Sequence, residues 1–405
     1  MSTKPVLEGI RVIDLTMWFQ GPVAAQHLAD FGAEVIHFES TKGGDLARGV
    51  RSIRALPIGD WNQYFLVINR NKRSMAVDLN KPEGRAIMHK LAECSDVFLT
   101  NLSAKALEKW GCSYDELAKI NPRLVYAMGS GYGPFGRITK PSFDMTVQAL
   151  TGIMSRLGEP DQPPIYLGMG SGDAMGGLMA ALGILLALYA RERTGRGQFL
   201  DASLYGAQLF MAAPTLQRFL ATASETYSRQ QSRAAVPNAM WNTYQAKDGW
   251  VIVCARDDGD AWGRFTDALE DPPLARDARF AGTEKRRANA SALIAALDAA
   301  IAKLSSADLV ASWGTRGIAS SVIGNLADLG DDAQAWANDY FLKTHCDEVD
   351  REVTIRGLPV TLSKTPGAVQ SLGPVLGQDT EIILTETLGY TWDQIGELKN
   401  AGAIL

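Results

Sequence analysis

Apolar and polar positions follow two alternating rhythms along the first 130 residues. Residues 9–15 read as a buried strand, 22–31 as a helix stopped by Gly32, and 34–39 as the next strand, a compact βαβ unit. The rhythm then repeats. Residues 74–79 are strand-like, Asn80-Lys-Pro-Glu83 has the spacing of a capping box that opens a helix to Glu93, and 96–100 and 124–128 are further strands. Ser113 and Glu116 carry the same capping signature for the helix between those two strands. Strands and helices in this alternation predict an α/β fold, a doubly wound, mostly parallel, Rossmann-like sheet.

Further on, residues 173–193 read as an apolar core helix and 198–203 as a strand. Residues 207–235 have the texture of a connecting helix or crossover. A hairpin follows, with 242–245 and 251–254 as strands and Asp248-Gly249 at the turn. Helical patterns at 285–303 and 306–316 complete a small α+β domain, 353–363 returns to strand character, and 380–401 is helical. The expected division is a discontinuous large domain of residues 1–205 plus 340–405, linkers at 206–235 and 331–339, and a small domain of 236–330.

Composition narrows the function classes. The chain has 405 residues, 46% apolar and 21% charged, with a net charge of −5, a balance that excludes disorder and gives a nucleic-acid partner no basic stripe. Its four cysteines are scattered, so neither a disulfide framework nor a zinc site is expected, and a reducing, cytoplasmic setting fits. Only four histidines are present, without metal-ligand spacing, so no metal is expected and any chemistry leans on other groups. The longest apolar run, residues 175–190, is short for a membrane span and holds three glycines, which favours a buried core helix.

Three segments carry candidate chemistry. The turn after the first strand, Thr16 to Pro22, has one glycine, so the phosphate cradle of a dinucleotide fingerprint is missing and an NAD oxidoreductase loses its main support. Gly168-Met-Gly-Ser-Gly-Asp173 precedes the apolar helix. Its glycines let backbone approach a ligand and its helix offers unpaired N–H groups. Asp173 is open to two readings, an N-cap after a flexible loop or a carboxylate nucleophile, already ionised near neutrality, at the mouth of a glycine-lined pocket. Gly129 to Gly136 is a third glycine-rich stretch, beyond the carboxyl end of a strand. Phe19, Tyr132, Phe143 and Met169 offer apolar lining for an acyl pocket.

Taken in order, these segments resemble the class III (family III) CoA-transferases, the group of formyl-CoA and carnitine CoA-transferases. The resemblance rests on Val12-Ile-Asp-Leu-Thr16 with Gly21-Pro22, Leu28 to Ile36, Asn71-Lys-Arg-Ser74, Asp78 to Gly84 and Asn101-Leu102. Thr194 to Gln198, Lys247 to Trp250, Asp277 to Phe280, Leu388-Gly-Tyr390 and Ala401-Gly402 extend it over nearly the full length. It implies a CoA-transferase moving CoA from an acyl-CoA donor to a small carboxylic acid, with Asp173 forming an aspartyl-CoA thioester. It implies no permanently bound cofactor, coenzyme A and acyl-CoA as substrates, and an interlocked homodimer without nucleic-acid or membrane partners.

The resemblance carries CoA contacts onto Phe19, Gln20, Ser40, Val77, Asn80, Asn101, Leu102, Lys109 and Lys140. Some members have glutamine at the place of Phe19, whereas here glutamine follows one residue later. Ser40 replaces a nucleotide-binding arginine, leaving Lys42 as substitute, and Lys109 also replaces an arginine. A tetraglycine lid has no counterpart between 225 and 260. The related α-methylacyl-CoA racemases place a catalytic histidine where Phe143 stands, so proton abstraction lacks its acid–base group. A non-catalytic partner subunit of a heteromeric transferase is the alternative.

Overall fold

In the computed structural model, residues 4–52, 58–168, 170–224 and 230–405 are described. The chain forms two compact units, one of Met1–Met154, Tyr166–Ala223 and Ala333–Leu405, the other of Ser155–Ile165 and Ser224–Asp332.

The larger unit is built on a six-stranded sheet of β1 (Arg11–Leu15), β2 (Glu34–Glu39), β3 (Arg73–Ala76), β4 (Val97–Thr100), β5 (Val125–Met128) and β6 (Phe199–Asp201). The order is β3-β2-β1-β4-β5-β6 with every pairing parallel, the doubly wound arrangement expected from the alternation. Because successive side chains alternate across the sheet, each strand feeds two cores. Val12, Val35, Val97 and Val125 pack with α1 (Gln20–Asp30) and α7 (Ser171–Thr194) on one face. Ile13, Ile36, Met75 and Phe98 pack on the other, with α3 (Pro82–Glu93), α5 (Tyr114–Ile120) and the C-terminal helix Trp392–Asn400.

Several expectations shift. The box predicted at Asn80 does not form. Lys81 is the N-cap and Pro82 takes the first helical position, while the Asn80 side chain bonds Asp78, Lys109 and Trp110. Residues 206–223, expected as linker, are mostly helix within the larger unit, in α8 (Leu204–Met211) and α9 (Ala213–Thr222), because Leu204, Ala207 and Gln208 are buried there. Strand character at 353–363 stops at Arg356, where Gly357 and Pro359 end β11 (Arg351–Arg356). That strand pairs antiparallel with β10 (Phe341–Cys346). The tail from Thr380 breaks into a π-helical turn, Ile383–Thr387, before Thr391 caps the last helix.

Helix α7 is not the wholly buried rod that its sequence suggests. It is the one described helix long and apolar enough to span a membrane, and 39% of its apolar window is buried. Leu178, Leu182, Leu185, Leu186 and Tyr189 lie exposed along one stripe, at the three- and four-residue spacing of a helix face.

In the smaller unit, β7 (Trp241–Gln245), β8 (Trp250–Cys254) and β9 (Ala319–Val322) form an antiparallel sheet around Tyr244, Phe265, Phe280 and Trp313. Its helices include Ala290–Ile301 and Ser306–Thr315, near the predicted positions.

Candidate active site

Gly170 adopts the left-handed region at φ 79° and is the N-cap of α7, so Asp173 stands three residues inside the helix rather than at its cap. Gly168, at φ 105°, gives the approaching loop a second turn that side-chain-bearing residues rarely make. Gly172 is required by space as well. A Cβ there would sit 2.1 Å from Gln208 Nε2 and 2.3 Å from Asp144 Oδ1.

Those two neighbours belong to a buried polar clamp that the sequence reading missed. Asp144 opens α6 (Asp144–Leu150). Its Oδ1 accepts from Gln148 Nε2 at 3.0 Å and Gln208 Nε2 at 2.9 Å, and its Oδ2 accepts from the Gly172 N–H at 3.3 Å. Gln148 also accepts from the Leu167 N–H at 2.8 Å, which ties the loop to α6. The spacing of Asp144 and Gln148, four apart and so on one face of α6, was a usable signal; the approach of Gln208 was not.

Asp173 is treated differently by its surroundings. Among the described residues, no hydrogen bond to its carboxylate is found. Burial, with the neighbouring charge of Asp144, pushes its pKa up to about 7. The expectation of a fully ionised carboxylate at neutrality is thereby corrected. Gln20 and Phe19 do reach this region. The Phe19 ring lies against Gly170, with 3.5 Å between its Cε1 and the position of a Cβ there, and meets at a tilt, 5.6 Å between centroids, the ring of Tyr64, another residue the sequence did not single out. Burial and the charges of Asp173 and Asp45 push the Tyr64 phenol up. Gln20 is buried and donates to the Ala202 carbonyl at 2.9 Å.

A separate cleft of about 90 Å³ opens beyond the carboxyl ends of β1 and β2. It gathers Ser40, Val77, Asn80 and Leu102, together with Trp110, and Lys109 reaches Asn80 Oδ1 at 2.7 Å. Asn101 braces its wall, accepting from the Met17 N–H at 3.0 Å and donating to the Met17 carbonyl at 2.7 Å. The other expected residues fall elsewhere. Lys140 stands exposed on the loop after β5 and is not among the residues lining the cleft, and Phe143 is 62% exposed. The Tyr132 hydroxyl donates to the Pro141 carbonyl. Met169 lies outside the described residues. A much larger cavity, about 1100 Å³, lies between Arg48, Asn71 and Glu348 and contains neither Asp173 nor this cleft; its arginines are occupied by Glu39, Glu348 and Glu34. No group of three or more potential metal ligands occurs among the described residues.

The comparisons decide the family. The profile of CoA-transferase family III matches residues 7–380. The chain belongs to CoA-transferase family III. It is 31% identical over 404 residues to the succinyl-CoA–D-citramalate CoA-transferase of Chloroflexus aurantiacus, covering 97% of this chain and 96% of that one. The formyl-CoA:oxalate CoA-transferase of Streptomyces avermitilis is 31% identical over 98% of this chain and 99% of its own. Among solved structures, a CAIB/BAIF family protein from Brucella suis superposes with a TM-score of 0.82 at 31% identity, covering 95% of this chain and 99% of the other. Family III membership makes the chain an enzyme that transfers CoA, with CoA thioesters as substrates.

Proposed function

We propose that this transferase works through covalent chemistry at Asp173, with the β1–β2 cleft holding the CoA portion of the thioester. The observation that carries the reading is the half-buried carboxylate of Asp173 inside the first turn of α7, behind a loop that turns on the positive-φ Gly168 and Gly170 and without a described hydrogen-bond donor. A carboxylate in that state is poorly solvated and reactive, and the helix N-terminus favours negative charge beside it.

The sequence of steps balances with carboxylates and thiolates alone. The Asp173 carboxylate attacks the thioester carbonyl and CoA thiolate leaves, giving a mixed anhydride. The thiolate then attacks the aspartyl carbonyl, releasing the donor acid and leaving aspartyl-CoA. The acceptor carboxylate attacks that thioester and expels CoA thiolate. The thiolate finally attacks the acyl carbonyl of the new anhydride, giving the new acyl-CoA and free Asp173. No step moves a proton, which agrees with Phe143 standing where a racemase would need a histidine. The names of the relatives include succinyl-CoA donors and small-acid acceptors, and we assign the same class here. Incubation with succinyl-CoA and hydroxylamine is expected to leave a hydroxamate on Asp173 by peptide mass spectrometry; an unmodified Asp173 in an active preparation removes the assignment.

One second reading has support, since the chain is 32% identical to the beta subunit of a succinyl-CoA–L-malate CoA-transferase. A chain that needs a partner subunit will exchange no CoA when purified alone. We also assign a homodimeric assembly, on the family resemblance and on the exposed leucine stripe of α7.

A further inference from the structure

A buried charge cluster lies directly beneath the cleft. In the register of the sheet Asp14 pairs with His37 and His37 with Ser74, a row across β1, β2 and β3 in which all three side chains are sealed from solvent. Asp14 Oδ2 lies 3.0 Å from His37 Nδ1 and accepts from Lys72 Nζ at 2.8 Å. On the opposite side of the ring, His37 Nε2 faces Asp45 Oδ2 at 3.6 Å and Glu39 Oε2 at 3.9 Å. Arg48 grips Glu39 at 2.6 and 2.7 Å, Ser74 donates to Glu39 at 2.6 Å, and the Phe65 ring of the helix Gln63–Ile68 packs 6.3 Å from the imidazole.

Counting charges shows what His37 does there. Asp14, Glu39 and Asp45 are three carboxyl groups, and Lys72 and Arg48 are two cations. The set balances when His37 is an imidazolium, with a proton on each nitrogen to face a carboxylate on either side. A neutral ring would turn an unprotonated nitrogen toward one of them.

The cluster ends on the turn that walls the cleft. Thr16 Oγ1 donates to Asp14 Oδ1 at 2.5 Å, and the Trp18 N–H donates to Asp45 Oδ1 at 3.1 Å. Trp18 holds φ at 70°, a conformation that a side-chain-bearing residue keeps only when its surroundings enforce it. Thr16, Met17 and Asp45 all line the cleft, and Phe19, next in sequence, lies against the loop that carries Asp173. His37 thus touches no ligand surface, yet both carboxylates that shape this turn lean on it.

We propose that His37, as a buried imidazolium, is a positioning residue for CoA, fixing Asp14 and Asp45 so that the Thr16–Phe19 turn keeps the shape of the cleft. The assignment rests on the reading that this cleft holds CoA. Burial opposes the charge, but Asp14, Glu39 and Asp45 more than offset it and hold the His37 pKa up to about 9. The imidazolium therefore persists through neutrality and is lost as pH rises through about 9.

Calorimetric titration with free CoA tests this on the intact protein, with melting followed in parallel. His37→Gln is expected to weaken CoA binding about tenfold at neutral pH. His37→Lys, whose amine titrates higher, restores most of that affinity and keeps it on the alkaline side where the wild type loses it. Comparing these two proteins cancels the titration of the CoA thiol. Asp45→Asn keeps an acceptor for Trp18 but removes a negative charge facing the ring, so it moves the alkaline loss of wild-type binding to lower pH. This variant serves if a residue-37 variant fails to fold. Wild-type affinity in a less stable H37Q, or an alkaline limb shared by wild type and H37K or unmoved in D45N, overturns the role of His37. A wild-type protein that transfers CoA but whose affinity is unchanged by Asn80→Ala and Trp110→Ala overturns the cleft assignment itself.

Discussion

Asp173 shows how a single carboxyl group is made reactive at a cost in stability. Burial and the charge of Asp144 raise its pKa to about 7, while the attacking form is the carboxylate, so kcat/KM for the acyl-CoA donor is expected to fall as pH drops below about 7. Asp144→Asn removes the like charge, and the acid limb then moves to lower pH; a profile unchanged between wild type and D144N would separate the limb from Asp173. The linkage to folding runs the other way. A carboxyl group whose pKa is higher folded than unfolded binds its proton more tightly in the native state, so stability declines as pH rises from the ordinary carboxyl range through about 7. Asp173→Asn is accordingly expected to abolish transfer and to raise the melting temperature, more at pH 8 than at pH 5. Scanning calorimetry at the two pH values checks the sign.

Helix α7 is positioned through glycines that face its neighbours. A Cβ on Gly177 would stand 2.7 Å from the Gln20 carbonyl oxygen of α1, a backbone atom that cannot step aside, whereas the obstruction at Gly172 is side chains that hold the nucleophile loop. Gly177→Ala is expected to cost about 1–3 kcal/mol of stability, read by urea unfolding, through separation of the two helices. Gly172→Ala is expected to lower kcat by a larger factor than its loss of stability accounts for, because it displaces Asp144 and Gln208. Much at this scale was legible in the sequence: strict alternation of apolar strands and capped helices gave the parallel sheet, and Ser113 and Glu116 form the capping box their spacing announces. What escaped notice depends on contacts between distant segments. Gln208 meets Asp144 across 64 positions, Asn80 is drawn from a cap to Lys109 and Trp110, and the left-handed Gly170 moves the helix start ahead of Asp173. Local periodicity carries no trace of such pairings. The exposure of one side of α7 was hidden for a related reason, since an all-apolar run looks the same whether it meets its own core or another surface.

The net charge of −5 says little about a polyanionic substrate, because the local environment decides where a cation is free. Near the cleft Lys109 is one such group, reaching Asn80 rather than a carboxylate, while Arg48 and Lys72 are committed to Glu39 and Asp14. The uncovered stripe of α7 bears on assembly. Leu186 and Tyr189 are 60% and 61% exposed, and with Leu178, Leu182 and Leu185 they continue for three turns of helix. Apolar surface arranged in that way is costly in water and is commonly closed by a partner. With a second copy of the chain as occupant, light scattering coupled to gel filtration is expected to give twice the mass of the 405-residue chain. Leu182→Glu combined with Leu186→Glu places charges at the centre of the stripe, where neither side chain supports the core of its own chain, so the folded subunit should survive while the dimer weakens. A monomeric wild type would remove the assembly; a double variant that stays dimeric with unchanged dissociation on dilution would move the interface away from α7.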